Sequence, residues 1–345
     1  MGEIHPKLKS FIEVFYGNNK NVFLKEYYDL IGEELNLEKP SAGIIKFIRL
    51  KWGLSSDVLL GLDFVIKNLK NKKFKNLRKN SNAYAYASSL YKFIKFLIDQ
   101  NQLIANELDF RSRINNPKED AEKFIDFYGL NKSSINTFES LKKVLEERDI
   151  YVFAFPIDTD KQEGIIYTIS PSFIILNSNI RKIKSGFALA HEIGHFLYKN
   201  IEDEVYEEKL ANQFATYLII PSSLSAFIED VFFRIKRERN KVFAFIKEIC
   251  KCFDCNLHPN TVIERLFLDE VISKEEKRKW KEEISKLENI LKKRNSKARW
   301  EQKFNQNLGI IISDRYKEAI ENLIKANKIN QVRASEMLFE RIANA

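Results

Sequence analysis

Glycine and proline are scarce in this sequence. The 345 residues include 11 glycines and 7 prolines. Because these two residues form many of the tight turns that an architecture of many β-strands requires, their scarcity argues against an all-β fold and favours long helices. Histidine is rare as well, with four in the chain, so any histidines that occur at a regular spacing carry information.

Cysteines and long apolar runs are also few. The three cysteines all lie between positions 250 and 255, which leaves no disulfide framework and favours a reducing compartment. No segment approaches the roughly 18 uncharged apolar residues that a membrane-spanning helix needs. The N-terminal Met1-Gly-Glu-Ile-His-Pro-Lys lacks the pattern of a secretory signal. We therefore expect a cytoplasmic protein.

The charge balance is basic, with a formal net charge of +9. A basic balance can indicate a nucleic-acid partner or another anionic partner. The chain is also crowded with lysine, asparagine, isoleucine and phenylalanine, which is the composition that codon drift in an AT-rich genome produces. Charge alone therefore does not decide between classes of function.

One β-rich segment interrupts a sequence whose apolar periodicity is otherwise helical. Tyr151-Val-Phe-Ala-Phe predicts a strand. Gly164-Ile-Ile-Tyr-Thr-Ile and Phe173-Ile-Ile-Leu, separated by Ser170-Pro171, predict a hairpin. The fold class that follows is mainly α with a small β-sheet.

Two helices are predicted directly after the hairpin. Ser185 can cap a helix that runs from about 186 to 199. A second helix runs from about 204 to 220, where Pro221 ends it because proline cannot continue the hydrogen-bonding pattern.

The first of these helices carries two histidines four residues apart, in His191-Glu-Ile-Gly-His195. Residues four apart lie on the same face of a helix, so the two imidazoles converge on one point. They supply two of the three protein ligands that a catalytic Zn²⁺ site uses. Glu192 lies close to the same centre and can accept a proton from a water that zinc activates. The motif therefore predicts a zinc-dependent hydrolase with Glu192 as its general base.

The third metal ligand is expected on the second helix. The acidic candidates near its start are Glu202, Asp203, Glu204, Glu207 and Glu208. Glu208 shares a stripe with Asn212, Ala215 and Ile219 that we predict to be largely buried, and a buried carboxylate needs a partner such as a metal. Asn212 is then placed to hydrogen-bond a metal-ligating histidine. Neighbouring helical residues point about 100° apart, so we expect Glu208 to bind the metal and Glu207 to contribute little.

The motifs on both helices resemble those of a known family. His191-Glu-Ile-Gly-His195 is followed by Glu208-Lys-Leu-Ala-Asn-Gln-Phe-Ala215 and by Leu218-Ile-Ile-Pro221. Over about 120–270, this arrangement resembles the ImmA/IrrE family of bacterial and phage regulatory metallopeptidases. The resemblance implies an α+β, zincin-like peptidase core in which His191, His195 and Glu208 bind Zn²⁺ and Glu192 is the catalytic base.

The same resemblance implies a protein substrate. Members of the family cleave, or provoke the cleavage of, transcriptional repressors of the helix-turn-helix type. They do so after DNA damage or in the control of a mobile element. We therefore expect a regulatory endopeptidase that acts on such a repressor.

Three regions are predicted along the chain. They are a helical N-terminal domain over 1–115, a metallopeptidase domain over 116–270 and a helical C-terminal region over 271–345, with Asn115-Asn116-Pro117 marking the first boundary. In the middle region we predict an edge strand that holds an extended substrate through backbone hydrogen bonds. The strand consists of Phe173, Ile174, Ile175 and Leu176, and plain sheet packing is the alternative role for it.

A basic run lies in the N-terminal region and is a candidate for contacts with nucleic-acid phosphates. It includes Lys72, Lys73, Lys75, Arg78 and Lys79. The helix-turn-helix pattern before it has Val58-Leu-Leu-Gly-Leu-Asp-Phe-Val-Ile as its recognition helix, which is too apolar for a major groove. A packing or substrate-recruiting role is therefore favoured. The alternative function is a DNA-binding regulator that uses the peptidase fold as a sensor or scaffold, and the intact Glu192 argues against it.

A cluster of cysteines and a histidine has spacing that a second metal site could use. It consists of Cys250, Cys252, Cys255 and His258. The helical spacing of the apolar neighbours puts Cys250 and Cys255 where small core residues belong, with Cys252 off that face. Free cysteine is commonly a small buried apolar residue, so we predict packing here.

Overall fold

The computed structural model describes most of the chain. The described residues are 4–16, 19–38, 42–52, 74–75, 83–106, 110, 115–158, 163–168, 170–238, 240–294 and 298–340. Within these ranges, no helix is long and apolar enough to cross a membrane.

The predicted nucleic-acid segment lies almost wholly outside the described residues. This holds for Lys72, Lys73, Arg78 and Lys79 and for the helix predicted around Val58, while Lys75 is described in its backbone alone. The contacts predicted for this basic run therefore stay a prediction.

Helices make up most of the described chain, which confirms the predicted fold class. In chain order they are α1 (Pro6–Tyr16), α2 (Lys20–Ile31), α3 (Ala42–Trp52), α4 (Ala83–Asp99), α5 (Pro117–Tyr128), α6 (Phe138–Glu146), α7 (Lys182–Leu197), α8 (Glu204–Ile219), α9 (Ser225–Lys236), α10 (Lys241–Cys252), α11 (Pro259–Leu268), α12 (Lys274–Lys293), α13 (Arg299–Asn305), α14 (Asp314–Lys325) and α15 (Gln331–Met337). A short 3-10 turn, Ser222–Leu224, follows α8.

The strands form one small mixed sheet. They are β1 (Phe74–Lys75), β2 (Tyr151–Phe155), β3 (Gly164–Tyr167) and β4 (Phe173–Asn177), in the spatial order β1-β3-β4-β2. β3 pairs antiparallel with β4, as the predicted hairpin requires, and β2 pairs parallel with β4. All residues of β2, β3 and β4 are buried, which explains why these strands are continuous apolar runs and do not alternate with polar residues.

The prediction that β4 is an edge strand is wrong. β4 lies between β3 and β2 and pairs with both of them. Phe173, Ile174, Ile175 and Leu176 are each fully buried. Since the backbone groups on both sides of β4 already pair within the sheet, the strand cannot hold an extended substrate by strand addition. Its residues serve the alternative role of sheet packing.

The chain divides by contacts into two units. The sheet unit consists of residues 1–107, 149–177 and 310–345, and the helical unit consists of residues 108–148 and 178–309. This division differs from the boundaries predicted after 115 and 270, because the strands pack with helices from both ends of the chain. The predicted boundaries, taken as those of independently folding domains, stay a prediction.

Aromatic contacts show how the sheet unit joins distant parts of the sequence. The rings of Tyr86 on α4 and Phe155 on β2 stack with their centroids 4.6 Å apart. Phe153 on β2 contacts Tyr316 on α14 at 5.3 Å. These rings belong to one apolar core that also includes residues of α1 to α3. The sheet is thus covered by helices from the beginning and the end of the chain.

α7 and α8 form a closely packed helical hairpin in the helical unit. α7 begins at Lys182, so Ser185 lies inside it and donates to the Lys182 carbonyl at 2.7 Å, contrary to the predicted cap. Asp203 caps α8 by accepting from the backbone N–H groups of Val205 and Tyr206. The helix ends therefore agree with the predicted ones to within a few residues.

The closest approach within this hairpin is at a glycine. A Cβ atom added to Gly194 would lie 2.8 Å from Cα and 3.0 Å from Cβ of Ala211. The facing atoms belong to a backbone and a methyl group that cannot rotate away. Only glycine at 194 permits this spacing of the two helices.

We expect Gly194→Ala to lower the free energy of unfolding of the metal-free chain by about 1–3 kcal/mol, because the added methyl overpacks the interface. The better helix propensity of alanine works in the opposite direction by up to about 1 kcal/mol. Urea unfolding measures the difference. Gly186→Ala is the matched control and should cost less, since the nearest atom to its added Cβ is the Phe138 backbone nitrogen at 3.2 Å. A Gly194→Ala chain at least as stable as the native one would contradict the described packing.

Candidate functional site

Two helices bring three potential metal donors together. His191 and His195 project from α7, and Glu208 projects from α8. Their ligand atoms all lie within 4.8 Å of one another, and they are the only such group of three found among the described residues. Sequence spacing had predicted this set, and the structure places its members side by side.

The arrangement follows from local geometry on each helix. The two histidines lie one turn apart on α7, and their Nε2 atoms are 2.9 Å from each other. Gly194 precedes His195 and contacts Ala211, which lies three residues after Glu208. The close approach at Gly194 thus brings the first turn of α8 within reach of the histidine face.

The distances among the donor atoms fit a single small cation. His195 Nε2 lies 3.3 Å from Glu208 Oε2, and His191 Nε2 lies 3.6 Å from Glu208 Oε1. Two atoms that each lie about 2.0–2.1 Å from one tetrahedral zinc ion are about 3.3 Å apart. The observed 2.9, 3.3 and 3.6 Å separations lie around this value. Two imidazole nitrogens and one carboxylate are also a donor set that zinc accepts.

The two histidines titrate in opposite directions. Burial and the neighbouring His195 lower the pKa of His191 to about 4. Burial also works to lower the pKa of His195, but its hydrogen bonds with Glu207 and Glu208 raise it to about 9. His195, opposed by burial, in turn lowers the pKa of Glu208 to about 2. At neutral pH, His195 therefore carries a proton and a positive charge between the carboxylates. A metal cation bound there would replace that proton.

Glu192 is almost fully buried, with 1% of its surface exposed. It lies near enough to His195 to contribute to the raised pKa of that imidazole. The predicted general base is therefore close to the donor cluster without being one of its three members.

The contact that Glu207 makes within the site was not predicted from the sequence. It is 3% exposed, and its Oε1 lies 3.2 Å from Nδ1 of His195. His195 is therefore held on both ring nitrogens, by Glu207 on Nδ1 and by Glu208 on Nε2. The sequence had led us to expect that Glu207 contributes little to metal binding, and its contact with His195 was not predicted.

Asn212 also differs from its predicted part. Its side-chain amide donates to Oε1 of Glu208 at 3.0 Å and to the Glu208 carbonyl at 2.9 Å, and not to a histidine. The Glu208 side chain is 49% exposed, whereas Ala215 and Ile219 on the same stripe are buried, so the predicted burial holds for the later part of the stripe and not for Glu208. Asn212 orients the carboxylate because the two side chains lie one turn apart on the same face of α8.

A sequence signal for Glu207 did exist. Glu207 shares a helical stripe with Ala211, Phe214 and Leu218, all of which are buried. A carboxylate on a buried stripe needs a partner. The same reasoning predicted a partner for Glu208, because Ala215 and Ile219 on its stripe are apolar as well.

Two buried polar groups hold the ends of the ligand helices. Tyr198, directly after α7, donates its hydroxyl to Asp120 of α5 at 2.9 Å. Arg265 of α11 is 1% exposed and donates to the carbonyl of Ile220, just beyond α8, and to Asp269 at 2.7 Å. These bonds connect the C-terminal end of α7 to α5 and that of α8 to α11.

The cysteine cluster packs as predicted. Cys250 and Cys255 are buried and Cys252 is exposed, all as free thiols. His258 places Nε2 2.7 Å from Glu288, and its Nδ1 accepts from the backbone N–H of Asn260. With both ring nitrogens engaged, His258 serves as a helix cap.

The site therefore presents two histidines from one helix and a carboxylate from the next, an arrangement that could hold a metal ion. Comparison with protein families agrees: residues 145–234 match the Peptidase M78 model, described as an IrrE N-terminal-like domain. No curated protein matches the chain. Residues 145–234 are thus similar to the IrrE N-terminal-like domain of a metallopeptidase family, which confirms the resemblance to the ImmA/IrrE family over that segment. The matched segment includes both α7 and α8.

We expect Tyr198→Phe to lower the free energy of unfolding by about 1.5–3 kcal/mol, because it removes a buried hydrogen bond to a charged group. Urea unfolding measures the effect. Tyr28→Phe, which removes the same hydroxyl from an exposed side chain, serves as the control. A native unfolding midpoint for Tyr198→Phe would show that the bond to Asp120 contributes no stability.

Proposed function

We propose that this chain is a zinc-dependent endopeptidase with His191, His195 and Glu208 as its metal ligands. The observation that carries the proposal is the convergence of two imidazole nitrogens and a carboxylate within 4.8 Å of one another. The match of this segment to a metallopeptidase family supports the same conclusion. The Glu208 side chain is half exposed, so the cluster is open to solvent on that side.

Zinc, when bound, supplies the Lewis acidity that makes water a nucleophile near neutral pH. Glu192 accepts the proton of the attacking water and delivers it to the nitrogen of the leaving amine as the peptide bond breaks. The burial of Glu192 keeps bulk water away from this proton. Asn212 holds the Glu208 carboxylate, so that the ligand does not rotate into solvent.

The proposed substrate is a transcriptional repressor of the helix-turn-helix type. The support for it is the confirmed family resemblance, since a peptidase domain of this kind implies a protein substrate. We place the reaction in the cytoplasm, in a response to DNA damage or in the control of a mobile element. A repressor encoded beside this chain is the first substrate to test.

The purified chain should bind about one zinc per molecule, and a strong chelator should remove it. Either His191→Ala or His195→Ala should abolish binding, because the two remaining ligands hold the metal poorly. Elemental analysis after dialysis measures the stoichiometry. His5→Gln, which changes a histidine outside the helical unit, is the control and should keep the metal. Full zinc content in both alanine variants would refute the site.

Glu192→Gln should keep the zinc and lose peptidase activity by at least about 100-fold, since an amide cannot accept the proton. The measurement is mass spectrometry of products from a mixture of random peptides and from the neighbouring repressor. Glu204→Gln, an exposed change at the start of α8, is the control with the same loss of charge. Cleavage by Glu192→Gln at the native rate would exclude the proposed base.

A further inference from the structure

We propose that Glu207 is a positioning residue that fixes the orientation and tautomer of His195. The proposal rests on the proposed zinc-binding function. It assigns to this chain a carboxylate that is distinct from the metal ligand beside it in the sequence.

The first observation is the contact itself. Glu207 Oε1 lies 3.2 Å from Nδ1 of His195, on the side of the ring opposite the donor cluster. Both side chains are only 4% exposed. An acceptor at Nδ1 holds the proton on that nitrogen and leaves the lone pair of Nε2 directed at the metal position.

The second observation is the place of Glu207 on its helix. It lies in the first turn of α8, and its backbone N–H donates to the carbonyl of Asp203 at 2.8 Å. The positive end of the helix dipole stabilises a carboxylate there. Burial of such a group is costly unless it is paired, and the imidazole of His195 supplies the pairing.

The third observation is the difference between the two histidines. Nδ1 of His191 is buried and has no hydrogen-bond partner among the described residues, whereas Nδ1 of His195 has Glu207. Only one of the two imidazoles is thus held by a carboxylate behind it. The loss of Glu207 would leave both rings without that support.

Glu207 does not fit the part of a metal ligand. Its carboxylate reaches Nδ1 of His195, while Nε2 of the same ring faces Glu208 at 3.3 Å. The group of donors that lie within 4.8 Å of one another includes Glu208 and not Glu207. The two adjacent glutamates therefore have different roles: Glu208 is a metal ligand, and Glu207 positions the ligand His195.

The test compares Glu207→Gln, Glu207→Ala and Glu208→Gln in the full-length chain, with Glu204→Gln as the matched control for charge. Zinc affinity is measured by competition with a coloured chelator. We expect Glu207→Gln and Glu207→Ala to weaken zinc binding within a range of about 10–100-fold, with alanine the more harmful change. Glutamine keeps an acceptor oxygen near Nδ1 of His195, so Glu207→Gln should lower the zinc affinity less than Glu207→Ala does. Glu204→Gln should bind zinc as the native chain does.

The visible spectrum of the cobalt-substituted chain separates positioning from ligation. In Glu207→Gln, the bands should shift but keep the intensity of the native coordination number, because all three ligands remain. In Glu208→Gln, the intensity should change, because a ligand is lost. Urea unfolding of the metal-free variants checks that each is folded. If Glu207→Ala does not fold, Glu207→Gln still tests the proposal.

The outcomes separate this proposal from the one on which it rests. Native affinity in both Glu207 variants, together with loss of zinc in Glu208→Gln, would overturn the positioning role and leave the metal site intact. Loss of the same cobalt bands in Glu207→Gln and Glu208→Gln would also overturn it, since Glu207 would then be a ligand. A native chain that binds no zinc would instead overturn the proposed function.

Discussion

The close approach of α7 and α8 at Gly194 is the constraint on which the rest of the site depends. A Cβ at this position would lie 2.8 Å from the Ala211 backbone, so the two helices touch without an intervening side chain. Each helix carries donors within one turn of that contact. The separation between the histidine face and the carboxylates is therefore set by backbone contact, which is stiffer than contact between long side chains. Tyr198 and Arg265 connect the C-terminal ends of the same two helices to α5 and α11.

The site also shows how two adjacent carboxylates are distributed around one imidazole. Glu207 is buried and approaches Nδ1 of His195, and Glu208 is half exposed and approaches Nε2. Burial works to lower the pKa of His195, but hydrogen bonds with these two carboxyl groups raise it to about 9. Burial and the neighbouring His195 lower the pKa of His191 to about 4. The positive charge of the cluster therefore lies on His195.

The parts of this structure that could be predicted from sequence are those that depend on local geometry. The histidine pair, the two helices and the β3–β4 hairpin all follow from spacing over a few residues. The central place of β4 could not be predicted, since it depends on β2, which joins the sheet in parallel from an earlier part of the chain. Glu208 was predicted as a metal donor, but the contact between Glu207 and His195 was not. The apolar stripe of α8 indicates that Glu207 is buried, whereas its partner lies on α7 and cannot be identified from α8 alone.

The sheet unit is assembled from three separate stretches of sequence, and its last stretch begins at residue 310. All residues of the helical unit lie before residue 310. During synthesis from the N-terminus, the two ligand helices and everything packed within their own unit emerge before the sheet can receive Tyr316, Ile320 and Phe339 into its apolar core. Every residue of the donor cluster therefore leaves the ribosome before the last helices that cover β2 and β4, although the strands come earlier in the sequence.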